Sequence, residues 1–234
     1  MARILPPCLP KIFEFETLQY VNNHLIFFAF AIFFLYNSVM ETRLIKRYEY
    51  ELGEHLIKNA DLDLFIAHRK DRLFSYREYH SEKVIHDDLA KYKRMQKAGI
   101  NVPKLIAHDR SLLVLIFERF VEPNALIVLA KEELKEIYFK QLFTIYRFCR
   151  FSKVEINYLP HNYILKGTTL YYIGEDISDS DPKRNLENFG LRYWIYSKEA
   201  ASLLAEKGLA VNPKRLLSEE EANKKIVLLS VTYW

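Results

Sequence analysis

The residues of this chain whose types and spacing best suit chemistry are an asparagine in a Pro-His-Asn loop and the acidic pair that follows it. Asn162 precedes two short runs of strand-forming residues, 163–165 and 170–173, which are joined by KGTT and followed by Glu175 and Asp176. A hairpin over these runs would bring Asn162 and Asp176 to one open end. Amide and carboxylate oxygens are hard ligands of the kind that Mg²⁺ prefers. The pattern therefore suggests a divalent-metal site on Asn162 and Asp176, with Glu175 as a competitor for the acidic position.

The same residues also fit a hairpin with polar ends, in which Asn162 caps a turn and the two acids are solvated. The pair taken alone favours this structural interpretation. The order of the elements around the pair favours the metal site.

Composition removes several other kinds of site. The 234 residues include 34 Lys and Arg against 30 Asp and Glu, and the resulting net charge of +4 gives little argument for a nucleic-acid partner. The two cysteines, Cys8 and Cys149, form no CxxC pair, which excludes a cysteine zinc site and a disulfide scaffold. The six glycines are never closer than seven residues apart, so the dinucleotide-binding fingerprint, the P-loop and the GxSxG motif cannot be written.

The elements that must position the metal pair follow from hydrophobic periodicity. The pattern predicts a hairpin, a helix closed by Gly99, two apolar strands, a polar break, a long amphipathic helix and a further helix. Their predicted bounds are 62–68 and 73–79 for the hairpin, 81–98 for the first helix, 104–107 and 112–117 for the apolar strands, 118–124 for the break, 131–150 for the second helix and 197–207 for the last.

This order of elements resembles that of the protein-kinase-like superfamily in a degenerate form, nearest to its lipopolysaccharide and small-molecule kinase branches. In those families a helix leads into a loop reading His-x-Asp-x-x-x-x-Asn, a hairpin follows, and an Asp then holds magnesium. The segment EINYLPHNYIL at 155–165 fits with Asn162 on the metal-binding Asn and Asp176 near the magnesium Asp. The resemblance implies an α+β, two-lobed fold, with a small antiparallel-sheet lobe over 41–121 and a mostly helical lobe over 122–234.

The resemblance also implies a nucleotide site, with ATP and Mg²⁺ as cofactors. No lysine occupies the strand position at which the family holds phosphates, so Arg77, paired with Asp88 of the following helix, is the candidate substitute. Glu118 falls where the adenine-contacting hinge would lie. Arg77 could equally be a surface residue of an edge strand, and the run HDD at 86–88 could simply favour a helix N-terminus.

One departure from the family pattern affects catalysis. Asn157 stands where the family carries its catalytic Asp, and an amide cannot accept a proton from a substrate hydroxyl at neutral pH. Glu155, on the family's loop histidine, and His161, beside the metal-binding Asn, are the candidate substitute bases. His161 is also explained as a loop histidine bonded to backbone groups.

Two functions therefore stay open. One is an ATP- and Mg²⁺-dependent phosphotransferase acting on a small molecule or a cell-envelope sugar. The other is a pseudokinase scaffold that binds nucleotide or a protein partner without catalysis. Basic residues among aromatics, as in YKRMQK, favour a half-buried helix face over a nucleic-acid surface.

The segment 1–40 is apolar and differs from the rest. Its uninterrupted apolar run, 25–36, would reach about 18 Å as a helix, against roughly 30 Å of membrane hydrocarbon, whereas 18–40 is long enough but includes polar residues. Arg43, Lys46 and Arg47 follow and would keep the body on the cytoplasmic side. An anchor, a docking helix and an over-extended reading frame that should begin at Met40 are the three interpretations. The expected location is the cytoplasm, with or without association with the inner membrane through 18–40.

Overall fold

Alternating side chains in the first half of the described chain build an antiparallel sheet. The computed structural model describes residues 41–180, 183 and 185–234. The sheet strands lie in the order β1-β2-β3-β4-β6-β5. Their bounds are β1 Glu41–Ile45, β2 Tyr48–Lys58, β3 Leu62–Arg69, β4 Arg72–Tyr79, β5 Leu105–Asp109 and β6 Val114–Glu118. The pairs β2–β3, β3–β4, β4–β6 and β5–β6 are antiparallel, and the register of β2 on β3 shifts twice, which bends that edge.

The two faces of the sheet have different roles. On one face, Phe74 and Tyr76 of β4 belong to a buried apolar cluster with Ile116 of β6. Because strand side chains alternate between faces, Ser75 and Arg77 of β4 point the other way. Both of them line the cleft described below.

Helix α1 (Glu82–Lys97) joins β4 to β5 and packs on the sheet. Ser81 caps its N-terminus through its side chain. Tyr92 is buried against Phe117 of β6, with ring centroids 5.3 Å apart. Gly99 follows the helix at φ 79°, the left-handed conformation that glycine adopts most easily, as its position in the sequence predicts.

The second half consists of helices around a hairpin and a short ladder. The elements are α2 Ala125–Lys131, α3 Glu136–Ser152, β7 Val154–Ile156, β8 Tyr163–Lys166, β9 Thr169–Tyr172, β10 Ile177–Asp179, α4 Lys198–Glu206 and α5 Glu219–Tyr233, with 3₁₀ turns at Pro160–Asn162, Gly190–Trp194 and Pro213–Arg215. Strands β8 and β9 form the hairpin, and β7 pairs with β10. The buried Trp194 packs on Tyr163 at 5.1 Å between centroids, and its Nε1 donates to the Tyr158 carbonyl at 2.6 Å. These two contacts hold the loop that precedes β8 against Trp194.

The structure corrects the prediction for the second helix. The helix expected at 131–150 begins only at Glu136, and a separate helix that was not predicted, α2, ends at Lys131, where that helix was expected to begin. The side chain of Asn124 caps α2, and Glu132 is extended, with φ −145°, and ends it. Leu134, which belongs to the predicted amphipathic stripe, is buried from the connecting loop instead.

The described chain has an α+β architecture, with an antiparallel sheet followed by helices, and it is compatible with the kinase-like fold that the resemblance implies. Thr42–Trp234 form one compact unit. The boundary between two lobes near residue 121 stays a prediction. The interpretations of 1–40 lie outside the described residues. Among the described helices, none is both long and apolar enough to cross a membrane.

A carboxylate between two imidazoles holds the turn that joins β2 to β3. Asp63 lies 2.9 Å from Nε2 of His55 and 3.1 Å from Nε2 of His80, which follows β4. The other ring nitrogen of His80 lies 3.1 Å from the Ala60 carbonyl, and its backbone N–H donates to the Asp61 carbonyl. Both neighbours of the His80 ring are acceptors, so only the imidazolium makes both bonds. The pKa of His80 is raised, first by the bond to Asp63 and then by the bond to Ala60.

This contact predicts a pH-dependent contribution to stability. The pKa of Asp63 is lowered, chiefly by its hydrogen bond to His80. A raised histidine pKa stabilises the fold below its unfolded value, near 6.5, and the contribution is lost as the pH rises through the folded value; a lowered Asp pKa stabilises above about 3.9. The full contribution is therefore expected between about pH 4 and pH 6.5. His80→Asn should therefore lower the melting temperature more within this pH range, between about pH 4 and pH 6.5, than at alkaline pH.

The matched control is His86→Asn, an exposed histidine on α1. It should lower the melting temperature equally at both pH values. An unchanged difference between wild type and His80→Asn across this range would contradict the charged contact.

Candidate functional site

A cleft of about 1060 Å³ runs between the sheet and the β8–β9 hairpin. This volume lies just above the roughly 300–1,000 Å³ typical of small-molecule sites. Its apolar walls include Leu64 and Ile66 of β3, Phe117 of β6 and Ile164 of β8. Its polar groups include Ser75, Arg77, Asp88, Asn162, Glu175 and Asp176. The cleft is thus apolar along one part and charged along another.

The linker 118–124 forms the wall between the sheet and α2. Residues 118–124 all line the cleft. The linker is tied to the hairpin, because Leu165 N–H donates to the Pro123 carbonyl at 3.5 Å and Asn124 bridges to Ile164. The carboxylate of Glu118 lies 3.5 Å from Lys166 Nζ. The Glu118 side chain is therefore engaged with the hairpin.

Arg77 is the central cation of the charged part. Its Nη1 lies 2.7 Å from Glu175 Oε1 and 3.8 Å from Asp88 Oδ2, and Asp88 also accepts a hydrogen bond from the Tyr79 hydroxyl at 2.8 Å. The guanidinium lies over the Phe117 ring at 4.9 Å. Burial lowers the pKa of Arg77, but Glu175 and then Tyr79 and Asp88 outweigh it, so the pKa is raised.

The guanidinium of Arg77 also has unused donor capacity. Its Nε is buried and has no hydrogen-bond partner among the described residues. A buried donor without a partner costs free energy, and a ligand oxygen would relieve that cost. A guanidinium suits phosphate well, because its parallel N–H groups match two oxygens.

Asn162 and Asp176 both line the cleft, and they lie on either side of the β8–β9 hairpin in the chain. Asn162 ends a 3₁₀ turn in which its N–H donates to the Leu159 carbonyl at 3.0 Å, and its own carbonyl accepts from Ile173 N–H at 2.8 Å. Tyr163 pairs with Tyr172 in the register of the hairpin. Asp176 follows four residues after Tyr172, and both Asn162 and Asp176 line the cleft.

Tyr172 is a site residue that the sequence reasoning missed. Its buried hydroxyl donates to the Asp176 carbonyl at 2.9 Å and accepts from Asn157 N–H at 3.3 Å. Burial raises its pKa, so the hydroxyl is neutral and both bonds persist. A Cβ on Gly174 would lie 2.5 Å from this hydroxyl, so only glycine allows the chain to pass so closely. The run LYYIGED contains the glycine signal, but nothing in it separates Tyr172 from Tyr171.

The three candidate catalytic side chains do not line the cleft among the described residues. The backbone N–H of Asn157 donates to the Tyr172 hydroxyl, and the Asn157 Oδ1 accepts from Leu159 N–H at 3.0 Å. Glu155 is buried in β7, opposite Ser178 of β10. His161 is half-buried, and its pKa is lowered by burial and then by the charge of Lys207.

The oxygen ligands at the open end fit Mg²⁺. Within residues 41–180, 183 and 185–234, no group of three or more His, Cys, Asp or Glu side chains is arranged to hold a metal ion. Magnesium needs no such group, because it commonly uses one or two protein oxygens together with substrate phosphates and water. Asn162 and Asp176, beside a guanidinium suited to phosphate, are such a set.

Comparisons with known proteins add little to this geometry. No family model and no curated protein matches this chain. Among solved structures, the crystal structure of the BubR1 kinase domain is similar at 11% sequence identity and a TM-score of 0.44, over 72% of this chain and 62% of that one. The match thus spans less than two thirds of that kinase domain's chain. The function proposed below rests on the cleft and its side chains.

Proposed function

We propose that this protein is an ATP- and Mg²⁺-dependent phosphotransferase whose acceptor is an alcohol group of a small molecule or a cell-envelope sugar. The observation that carries the proposal is the meeting of Arg77, Asp88, Asn162, Glu175 and Asp176 in one cleft. These residues come from β4, α1, the loop before β8 and the loop after β9. Separate elements that converge on a concave site with charged groups are typical of a ligand site.

The residues divide into three tasks. The apolar walls and the linker 118–124 suit a flat base, Arg77 suits the phosphates, and Asn162 with Asp176 suits the metal. When bound, Mg²⁺ supplies positive charge that offsets the negative charge developing on the phosphates. Asp88 and Glu175 both lie near Nη1 of Arg77, and the Tyr172 hydroxyl donates to the backbone carbonyl of Asp176.

Loose phosphoryl transfer depends mostly on positioning and on charge, so a base is of secondary importance. This agrees with an amide at position 157. It also means that Glu155 and His161, which lie away from the cleft lining, are not needed as substitute bases.

The test is ADP formation with alcohol acceptors. Wild type should form ADP when Mg²⁺, ATP and a suitable sugar or small alcohol are supplied together. Glu155→Gln and His161→Ala should keep most of this turnover, instead of losing the roughly 10²–10⁴-fold that a general base contributes. A loss of that size in either folded variant would overturn the assignment of these two residues. Nucleotide binding without ADP formation, across a broad set of acceptors, would contradict the proposal that this protein is an enzyme.

A second candidate is a scaffold that binds nucleotide without catalysis, and Asn157 favours it. Its side chain caps the loop through Leu159 N–H, a structural task that an Asp oxygen would also perform. Asn157→Asp therefore keeps the loop and supplies a carboxylate. Turnover that rises in this variant supports an enzyme with a weakened base, whereas no turnover in either form supports the scaffold.

A further inference from the structure

One end of the sheet carries five cations in and beside two hairpin turns. The β1–β2 turn contains Lys46 and Arg47, and the β3–β4 turn contains Lys70 between Arg69 and Arg72. The two turns lie at the same end of the sheet, because Glu51 of β2 pairs with His68 of β3 and the Arg69 guanidinium lies over the Tyr48 ring. We call these five residues the basic turn cluster.

Aromatic rings contact the three arginines of this cluster. The Arg69 guanidinium lies 4.4 Å from the ring centroid of Tyr48 and 5.1 Å from those of Tyr50 and Phe74. Its Nη1 donates to the Tyr50 hydroxyl at 2.9 Å. Arg47 lies over Tyr48 at 5.2 Å. Arg72 likewise lies over Phe74, at 5.5 Å. A cation held by a ring face keeps its full charge, whereas an ion pair would cancel it.

The two lysines lie at the tips of the turns in a conformation that disfavours them. Lys46 has φ 57° and Lys70 has φ 55°, the left-handed region in which glycine is the usual residue. Both are exposed. The turns therefore carry two strained lysines where uncharged glycine would fit with less strain.

Nearby acids reduce the local charge without cancelling it. Asp71 lies within the β3–β4 turn, and Glu49 and Glu51 follow along β2. The pKa of Asp109 is lowered, chiefly by its hydrogen bond from Ser111 and least by the charge of Lys46. Residues 46–47 and 69–72 together contain five cations and one acid, Asp71.

We propose that the basic turn cluster binds the anionic headgroups of a membrane surface. Exposed Leu44 and Tyr48 flank the cations, and an apolar or amphipathic side chain beside basic ones suits the headgroup boundary. In the sequence, the apolar run 25–36 ends ten residues before Lys46, and basic residues just beyond an apolar segment are typical of contact with anionic lipid. The net charge of only +4 makes nucleic acid the poorer partner.

The experiment is vesicle co-sedimentation of the full chain, with phosphatidylcholine vesicles and with vesicles that also contain phosphatidylserine. Wild type should bind the anionic vesicles at least tenfold more tightly, and high salt should remove most of the difference, since it screens surface charge. Lys46→Gly combined with Lys70→Gly should weaken this binding about tenfold or more, because two surface cations are lost. The same variant should melt no lower than wild type, because glycine relieves both turns.

Lys198→Gln combined with Lys214→Gln removes two exposed cations from other parts of the described chain and is the matched control. It should bind anionic vesicles as wild type does. Equal losses in the two double variants would overturn the proposal, as would equal binding of wild type to neutral and anionic vesicles. Tighter binding to single-stranded RNA than to anionic vesicles would overturn the membrane as partner.

Discussion

Replacing Arg77 by alanine is expected to lower the free energy of unfolding by about 3 kcal/mol. The substitution removes the guanidinium that Asp88 and Glu175 both approach, and it leaves Asp88 with Lys91 at 3.7 Å and the Tyr79 hydroxyl. The Arg77 side chain is 17% exposed and Asp88 14%, so their charges are poorly solvated, whereas Glu175 is 50% exposed. Removing one partner of a buried ion pair costs about 3–5 kcal/mol, and the exposure of Glu175 places this case at the lower end.

Urea unfolding measures this difference, with Arg94→Ala as the control. Arg94 pairs with Asp179 at 2.5 Å, but these side chains are 41% and 94% exposed. An exposed pair of this kind is worth no more than about 1 kcal/mol. Arg77→Lys keeps the charge but loses the forked donor geometry, so it should be intermediate. Equal effects of Arg77→Ala and Arg94→Ala would show that Arg77 is an ordinary surface residue, the alternative that its sequence position left open.

Local patterns were enough to predict the elements nearest the site. Helix α1 begins after its Ser81 cap and ends before Gly99, because capping and the left-handed turn are decided by neighbouring residues. The β8–β9 hairpin also follows from local alternation around a glycine turn. The hairpin also explains why Asn162, before β8, and Asp176, after β9, line the same cleft.

Other features depend on contacts that no local pattern contains. Strands β1, β2, β7 and β10 and helices α2 and α5 were not predicted, since pairing and packing across the fold select them. The bond between Arg77 and Glu175 joins residues far apart in sequence and needs β4 and the hairpin to face one cleft. The Tyr172 bridge likewise appears only once the hairpin is placed against the loop at Asn157.

The difference between local patterns and contacts across the fold also explains why the two candidate bases do not line the cleft. Glu155 and His161 were considered because they lie close to Asn162 in sequence. The structure places Glu155 in β7 and His161 in a turn near α4, where neither is among the described residues that line the cleft. Nearness along the chain therefore does not decide which side chains line the cleft.

Magnesium-dependent stabilisation by ATP is the second large effect expected. A ligand that binds only the folded state, at about 100 times its dissociation constant, stabilises it by about 2.7 kcal/mol. For a protein of this size that corresponds to a rise of roughly 5–10 °C in melting temperature. Asp176→Asn should remove most of the part that depends on Mg²⁺, because an amide is a poorer ligand than a carboxylate for a hard cation.

Asp179→Asn is the matched control, since it makes the same substitution three residues later at a side chain that is 94% exposed. It should keep the full Mg²⁺-dependent shift, and addition of a chelator should abolish the shift in wild type and control alike. For each variant, the shift is measured from the melting temperature of that same variant without ligand.

The most direct test of a nucleotide and magnesium site is therefore the melting temperature of wild type, Asp176→Asn and Asp179→Asn, each with ATP, with and without Mg²⁺. We expect a rise of roughly 5–10 °C with Mg²⁺ and ATP together in wild type and Asp179→Asn, and little or none in Asp176→Asn. An equal rise in all three proteins, or no rise in wild type at saturating ATP and Mg²⁺, would contradict it.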